Sequence, residues 1–199
     1  MSNSALSSAT AFMKNRKSVF IFLKHRKKIV TALKSFGIKE ISTFVGGANV
    51  TGVVAVIEGS RPGKTIGLRA DSDALPLEEK TGVEWSSKVP MAMHACGHDG
   101  HVGTLLAAVH YINQHRDFAG RLVAIFQPGE EGFAGGRYMI EDGLVQKFGI
   151  DEFYALHAEP IVFPLDGVRH LFPGFATANA VQFSKLHLRA SAVTDPVLI

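Results

Sequence analysis

A single cysteine, Cys96, stands in a chain of 199 residues. No disulfide can therefore close within it, which excludes the small stapled folds of secreted proteins and makes a reducing, cytoplasmic setting the expectation. Long hydrophobic runs are missing too. The longest near the start, Val19-Phe20-Ile21-Phe22-Leu23, is far too short to span a bilayer, and no small-residue cleavage site follows it, so neither a membrane span nor a secretory signal is expected. Repeats and low-complexity tracts are absent beyond a Ser/Ala-rich opening. Acidic residues are lacking before Glu40, in a stretch that holds nine of the 21 basic residues; the other 12 face 18 acids. A start of this kind reads as a solvated helix face with a loosely held terminus rather than as a nucleic-acid arm or membrane anchor. No nucleic-acid or membrane partner is expected.

Hydrophobic residues make up 46% of the chain and charged residues 20%, enough apolar material for one domain with a real core. Helical spacing of Ile29, Val30, Leu33 and Phe36 predicts a helix over residues 26–36, with Gly37 as its stop. The Val-rich run 50–57, closed by Gly59-Ser60-Arg61-Pro62-Gly63, predicts a strand and a turn, and 65–70 a second strand. A long polar, glycine-containing stretch then runs to about residue 103. Beyond it, helix and strand alternate: a helix over 104–114, an apolar strand over 121–127, a mostly helical 134–148 weakened by Gly143, and a strand over 153–156. This alternation predicts an α/β layered domain around a largely parallel sheet, with reactive groups at the carboxyl ends of its strands.

The chemistry gathers in four places. Asp71 and Asp73 directly follow the second strand, where alternation along an extended chain would turn Ser72 away from both; on their own, such a pair is most simply a turn cap. Met93-His94-Ala95-Cys96-Gly97-His98-Asp99-Gly100-His101 packs three of nine histidines and the only cysteine together. Thiolate and imidazole are donors that zinc-like ions take, Cys96 and His98 lie within reach of one ion, and Gly97 permits a close approach. Asp99 or Asp73 could accept the far imidazole N–H. Glu130 and Glu131 follow the next strand after Pro128 and Gly129, and suit a division of labour in which one carboxylate binds a metal and the other takes a proton from water. His157 ends the strand after that, at the same relative position. Each taken singly has an ordinary structural explanation; the recurrence at strand ends carries the reading.

The runs LRADSDALPLEEKTG, MHACGHDGH, IFQPGEEG and ALHAEP resemble the hippurate hydrolase and indole-acetyl-amino-acid hydrolase group of metal-dependent aminoacylase/carboxypeptidase-like amidohydrolases, over roughly residues 31–177. The resemblance implies a layered α/β/α zinc-peptidase-like catalytic domain. It implies that Cys96 is a thiolate ligand shared between two ions, that His98, Glu131 and His157 are further ligands, that Glu130 is the general base, and that Asp73 orients groups from behind the site. The implied cofactor is a divalent metal, zinc, manganese or similar, with two ions in a complete site. The implied reaction is hydrolysis of the amide of an N-acyl amino acid, a small hippurate-like molecule, by a metal-bound water.

Departures from the family pattern set a second expectation. The family's opening helix with arginine and histidine is not reproduced before Val30. After about Phe183 the strand leading to a Gly-Gly-His is replaced by Ser184-Lys185-Leu186-His187-Leu188-Arg189-Ala190-Ser191. The expected division is a basic, loosely ordered segment over 1–25, an incomplete catalytic domain over 26–183, and a divergent tail over 184–199 in place of the lid or dimerisation domain. Family members are often homo-oligomeric through that missing domain. His170 and His187 have no motif support as replacement ligands. The competing functional reading is a truncated, inactive remnant that still binds metal; a weaker one is a thiol hydrolase built on Cys96 and His98.

Overall fold

The computed structural model describes residues 16–158 together with 178–179 and 191–192, and side chains from residue 23 to 158. Helix α1 (Arg16–Ser35) leads into strand β1 (Glu40–Val45), β2 (Gly52–Glu58) and β3 (Arg61–Asp71). Helix α2 (His98–Gln114) and strand β4 (Ala119–Gln127) follow. Three short helical pieces come next, α3 (Glu130–Phe133), α4 (Gly135–Glu141) and α5 (Leu144–Phe148), and then strand β5 (Glu152–Ala155). A two-residue pair, β6 (Ala178–Asn179) and β7 (Ser191–Ala192), is antiparallel. The expected boundary at 183/184, His170 and His187 lie outside the described residues. No described helix is long and apolar enough to cross a membrane.

The five-stranded sheet has the order β1-β2-β4-β3-β5. Strands β3, β4 and β5 run parallel, whereas β1 and β2 are antiparallel to their neighbours. The sheet is thus mixed, not largely parallel. Although β2 and β3 are separated by only Gly59 and Ser60, β4 is inserted between them; a two-residue link there reads locally as a hairpin, and only the packing of β4 decides otherwise.

Strands β2 and β4 are buried on both faces, which explains their near-continuous apolar sequences. Val53, Ala55 and Ile57 of β2 and Leu122, Ala124 and Phe126 of β4 pack with Ile29 and Leu33 of α1 and Leu105 and Val109 of α2. On the other face, Val54, Val56, Val123 and Ile125 meet Met139 of α4, Leu144 and Phe148 of α5, and Ile150. The result is a three-layer α/β/α sandwich, the layering that the family resemblance implies. Each fully buried Val or Ile in these layers stabilises it by about 1.5–3 kcal/mol.

Four local departures have physical reasons. Helix α1 begins at Arg16, ten residues before the apolar spacing that identifies it. Strand β1 escapes a sequence reading because it is a mostly exposed edge with a single buried residue, Val45. Helix α2 begins at His98 rather than near Thr104, because its N-cap is Gly97 in the left-handed region (φ 84°) with no side-chain cap. The helical stretch 134–148 is broken in two at Gly143, whose φ of 86° no helix accommodates.

Candidate metal centre

Three parallel strands end at one rim of the sheet. The register sets Asp71 of β3 opposite Gln127 of β4 and Arg69 of β3 opposite Ala155 of β5, two residues before His157. The tip of β3, the loop bearing Glu130 and Glu131 and the loop bearing His157 are therefore brought level by strand pairing alone. Helix α2 adds a fourth component. Its first turn carries His98 and His101, three residues apart and so on one face, with Cys96 just ahead of the N-cap.

Asp71, Asp73, His98 and His101 are all buried at the sheet rim. Nδ1 of His98 lies 3.0 Å from the backbone carbonyl of Asp73 and 3.3 Å from its Oδ1. A carbonyl only accepts, so Nδ1 carries the proton and Nε2 presents a bare lone pair. Asp73 Oδ2 accepts the backbone N–H of Glu131 at 3.0 Å, tying the glutamate loop to the same residue that holds His98. Asp99, the other acceptor considered for His98, is exposed. Ser72 does turn aside, as alternation predicts: its hydroxyl donates to the carbonyl of Gln127 at 2.9 Å.

Asp71 is not a turn cap. Its Oδ2 lies 2.8 Å from Arg69 Nη1 and 3.6 Å from His98 Nε2, and its Oδ1 accepts from His101 Nδ1 at 2.7 Å. Arg69 in turn donates through Nε to Gln127 at 3.0 Å. Burial pushes the Asp71 carboxyl up, but Arg69, the His101 hydrogen bond and His98 outweigh it and hold the group below the usual carboxylate range.

Ligand atoms of Cys96, His98 and Glu131 lie within 4.8 Å of one another. Those of Asp71, His98, His101 and His157 form a second such group that shares His98. Cys96 Sγ is 3.6 Å from His157 Nε2, and Nδ1 of His157 faces the Ala158 carbonyl at 2.9 Å. The pair Glu130 and Glu131 sits on α3, whose backbone leaves helical geometry at Glu131 (ψ 81°) and Gly132 (φ 82°). Gly135 closes this loop through its N–H to the Gly129 carbonyl at 3.0 Å. A side chain there would place its Cβ 1.7 Å from the Pro128 oxygen. His94, by contrast, belongs to neither donor group; its ring stacks on His25 with centroids 5.2 Å apart.

The electrostatics show what the cluster wants. Burial, followed by Glu131, Glu130 and Asp71, pushes the Cys96 thiol up to about 12. Burial and Glu131 also raise the Glu130 carboxyl, against Arg69 and His98. Burial disfavours a charged His98, yet Asp73, Asp71 and Glu130 together raise its pKa. Nε2 of His98 is buried without a hydrogen-bond donor, whereas Asp71 Oδ2 faces Arg69 Nη1 at 2.8 Å and Asp73 Oδ1 faces His98 Nδ1 at 3.3 Å. A buried lone pair without a donor is costly, and a cysteine thiol that a bound cation would deprotonate, an imidazole lone pair and a carboxylate converge here as a donor set suited to a divalent cation of the zinc class.

The sequence gives no role to Arg69 or His101 and leaves Asp71 as a turn cap. The signal for His101 was the spacing from His98, which becomes meaningful only once residue 98 is known to be helical.

The family described as peptidase family M20/M25/M40 matches residues 67–172, just over half of the chain. The hippurate hydrolase of Campylobacter jejuni is 43% identical over 158 residues, which cover 79% of this chain and 39% of that protein. The N-acetyl-L-cysteine deacetylase of Bacillus subtilis is 49% identical over 111 residues, covering 55% of this chain and 26% of the relative. The crystal structure of Bacillus subtilis YXEP, a dinuclear metal-binding peptidase of the M20 family, superposes with a TM-score of 0.63 at 33% identity, over 74% of this chain and 45% of that one. The chain spans less than half the length of each of these relatives.

Proposed function

Because the chain belongs to peptidase family M20/M25/M40, we propose that its strand-end cluster is the metal-holding part of an amidohydrolase that cleaves the amide of N-acyl amino acids. Cys96, His98, Glu131 and His157 are the residues that would hold the cation. The observation that carries the reading is the buried Nε2 of His98, which has no hydrogen-bond donor, lies 3.6 Å from Asp71 Oδ2 and is grouped with Cys96 and Glu131, while Asp73 holds the ring from its Nδ1 side. The names of the two curated relatives, each a hydrolase of an N-acylated amino acid, support the substrate class.

A divalent cation held there supplies Lewis-acid polarisation and lowers the pKa of water that it binds. The chain's own residues supply the rest. Glu130, with its proton affinity raised by burial and Glu131, accepts a proton from the attacking water and returns it to the departing amine. Asp73 fixes the tautomer of His98 and the position of the Glu131 loop. Arg69 and Asp71 hold the β3 tip in place. The thiol-nucleophile reading loses support from the surroundings of Cys96, since burial and three acidic neighbours disfavour a free thiolate.

The test is hydrolysis of hippurate by the purified chain after chelation and after readdition of zinc or manganese. Activity that is lost with chelator and restored by the ion supports the proposal. Metal uptake without turnover would support the remnant reading, and turnover that survives chelation but not alkylation of Cys96 would overturn the proposal in favour of a thiol enzyme.

A further inference from the structure

His101 stands within the second group of potential metal donors, yet both of its ring nitrogens are already engaged. Nδ1 is 2.7 Å from Asp71 Oδ1, and Nε2 accepts the backbone N–H of Ala158 at 2.9 Å. A nitrogen that accepts from an amide must carry a lone pair, so the proton sits on Nδ1 and points at Asp71. That leaves no lone pair for a cation. The ring is 4% exposed, so water does not compete for either bond. Ala158 is the residue after His157. The segment that bears His157 is therefore fastened through a side chain of α2 to the tip of β3, in the order Arg69, Asp71, His101, Ala158. The segment passes close to the start of α2: a Cβ on Gly97 would meet the Ala158 Cβ at 3.6 Å, an ordinary contact.

We propose that His101 is a positioning residue, not a ligand, and that its bond to the Ala158 amide sets His157 against Cys96. His157 is exposed and follows a four-residue edge strand, so strand pairing constrains it less than the buried groups of β3 and α2. The buried imidazole supplies that restraint from the opposite side. The inference rests on the proposed metal centre and deepens it, by separating the residue that aims a ligand from the ligands themselves.

Two substitutions discriminate. His101→Gln keeps an N–H for Asp71 and an oxygen that reaches the Ala158 amide. His101→Asn is shorter, keeps the bond to Asp71 and leaves the Ala158 amide without a partner. Two readouts are taken on the full chain: hydrogen exchange of the Ala158 amide without metal, and cobalt(II) titration followed by the thiolate-to-cobalt absorption of Cys96. The expected result is that His101→Asn loses Ala158 protection and binds cobalt about tenfold or more weakly, while His101→Gln keeps protection and stays within about threefold of the wild type. If both variants weaken cobalt equally, with Ala158 protection kept in His101→Gln, His101 is a ligand and the proposal fails. If His101→Asn binds cobalt as the wild type does, the proposal also fails while the metal centre stands. A wild type that shows no thiolate–cobalt band overturns the metal centre itself, and the positioning role with it.

Discussion

His98 and Asp73 are joined by the backbone rather than by charge alone: the imidazole Nδ1 meets the Asp73 carbonyl at 3.0 Å, and the Asp73 carboxylate reaches past it to the Glu131 amide. One residue at the end of β3 thus sets the tautomer of a helix residue and the position of a loop residue that follows β4. The two donors need not find each other by chance, since both are referred to a common point on a rigid sheet.

Replacing Asp73 should accordingly damage two things at once. Asp73→Ala leaves the Glu131 N–H without its acceptor and should cost about 1–3 kcal/mol of folding stability. It should also weaken cobalt binding by about 10–100-fold. Urea unfolding and a cobalt titration check the two effects; a stable variant with normal affinity would remove Asp73 from the account given above.

The adjacent glutamates should separate cleanly. Glu130→Gln is expected to keep cobalt affinity and lose about 10²–10⁴-fold in turnover of hippurate. Glu131→Gln should lose affinity instead. Were the two to behave alike in the titration, the division of labour between them would be wrong.

Gly135→Ala tests the loop through its backbone. A Cβ at this position would sit 1.7 Å from the Pro128 carbonyl oxygen, so the turn that carries Glu130 and Glu131 has to shift. Gly135 is buried in the first turn of α4, which also carries the core residue Met139, so some loss of stability accompanies the shift. A fall in cobalt affinity larger than the fall in unfolding midpoint is the expected signature.

A fourth prediction concerns pH. Asp142 accepts the Gly46 amide at 3.0 Å and pairs with Lys147 at 3.0 Å; the Gly46 bond first, then Lys147, hold its carboxyl below the ordinary 3.8. A folded-state pKa below the unfolded one gives stability that is present above the unfolded value and lost as pH falls through the folded value. The stability advantage of the wild type over Asp142→Ala should therefore be constant near neutrality and shrink below about pH 4. Unfolding midpoints of both proteins across that range decide it, and a gap that persists to pH 2 would contradict the assignment.

The sequence by itself determined the elements whose burial is complete and the list of candidate metal donors. Strands β2 and β4 announce themselves because a segment buried on both faces must be apolar throughout, and Cys96, His98, Glu131 and His157 stand out because their chemistry recurs at strand ends. Tertiary structure alone decided the mixed sheet, since the insertion of β4 between β2 and β3 is a matter of packing that no local pattern encodes. It also decided the partners of Arg69, Asp71 and His101. An aspartate after a strand looks like a turn cap until its neighbours are known. A histidine three residues beyond another gains meaning only when a glycine with positive φ starts a helix between Cys96 and His98. Hydrogen-bond partners 30 or more positions apart in the chain are set by which strand ends lie side by side, and that is a property of the folded sheet.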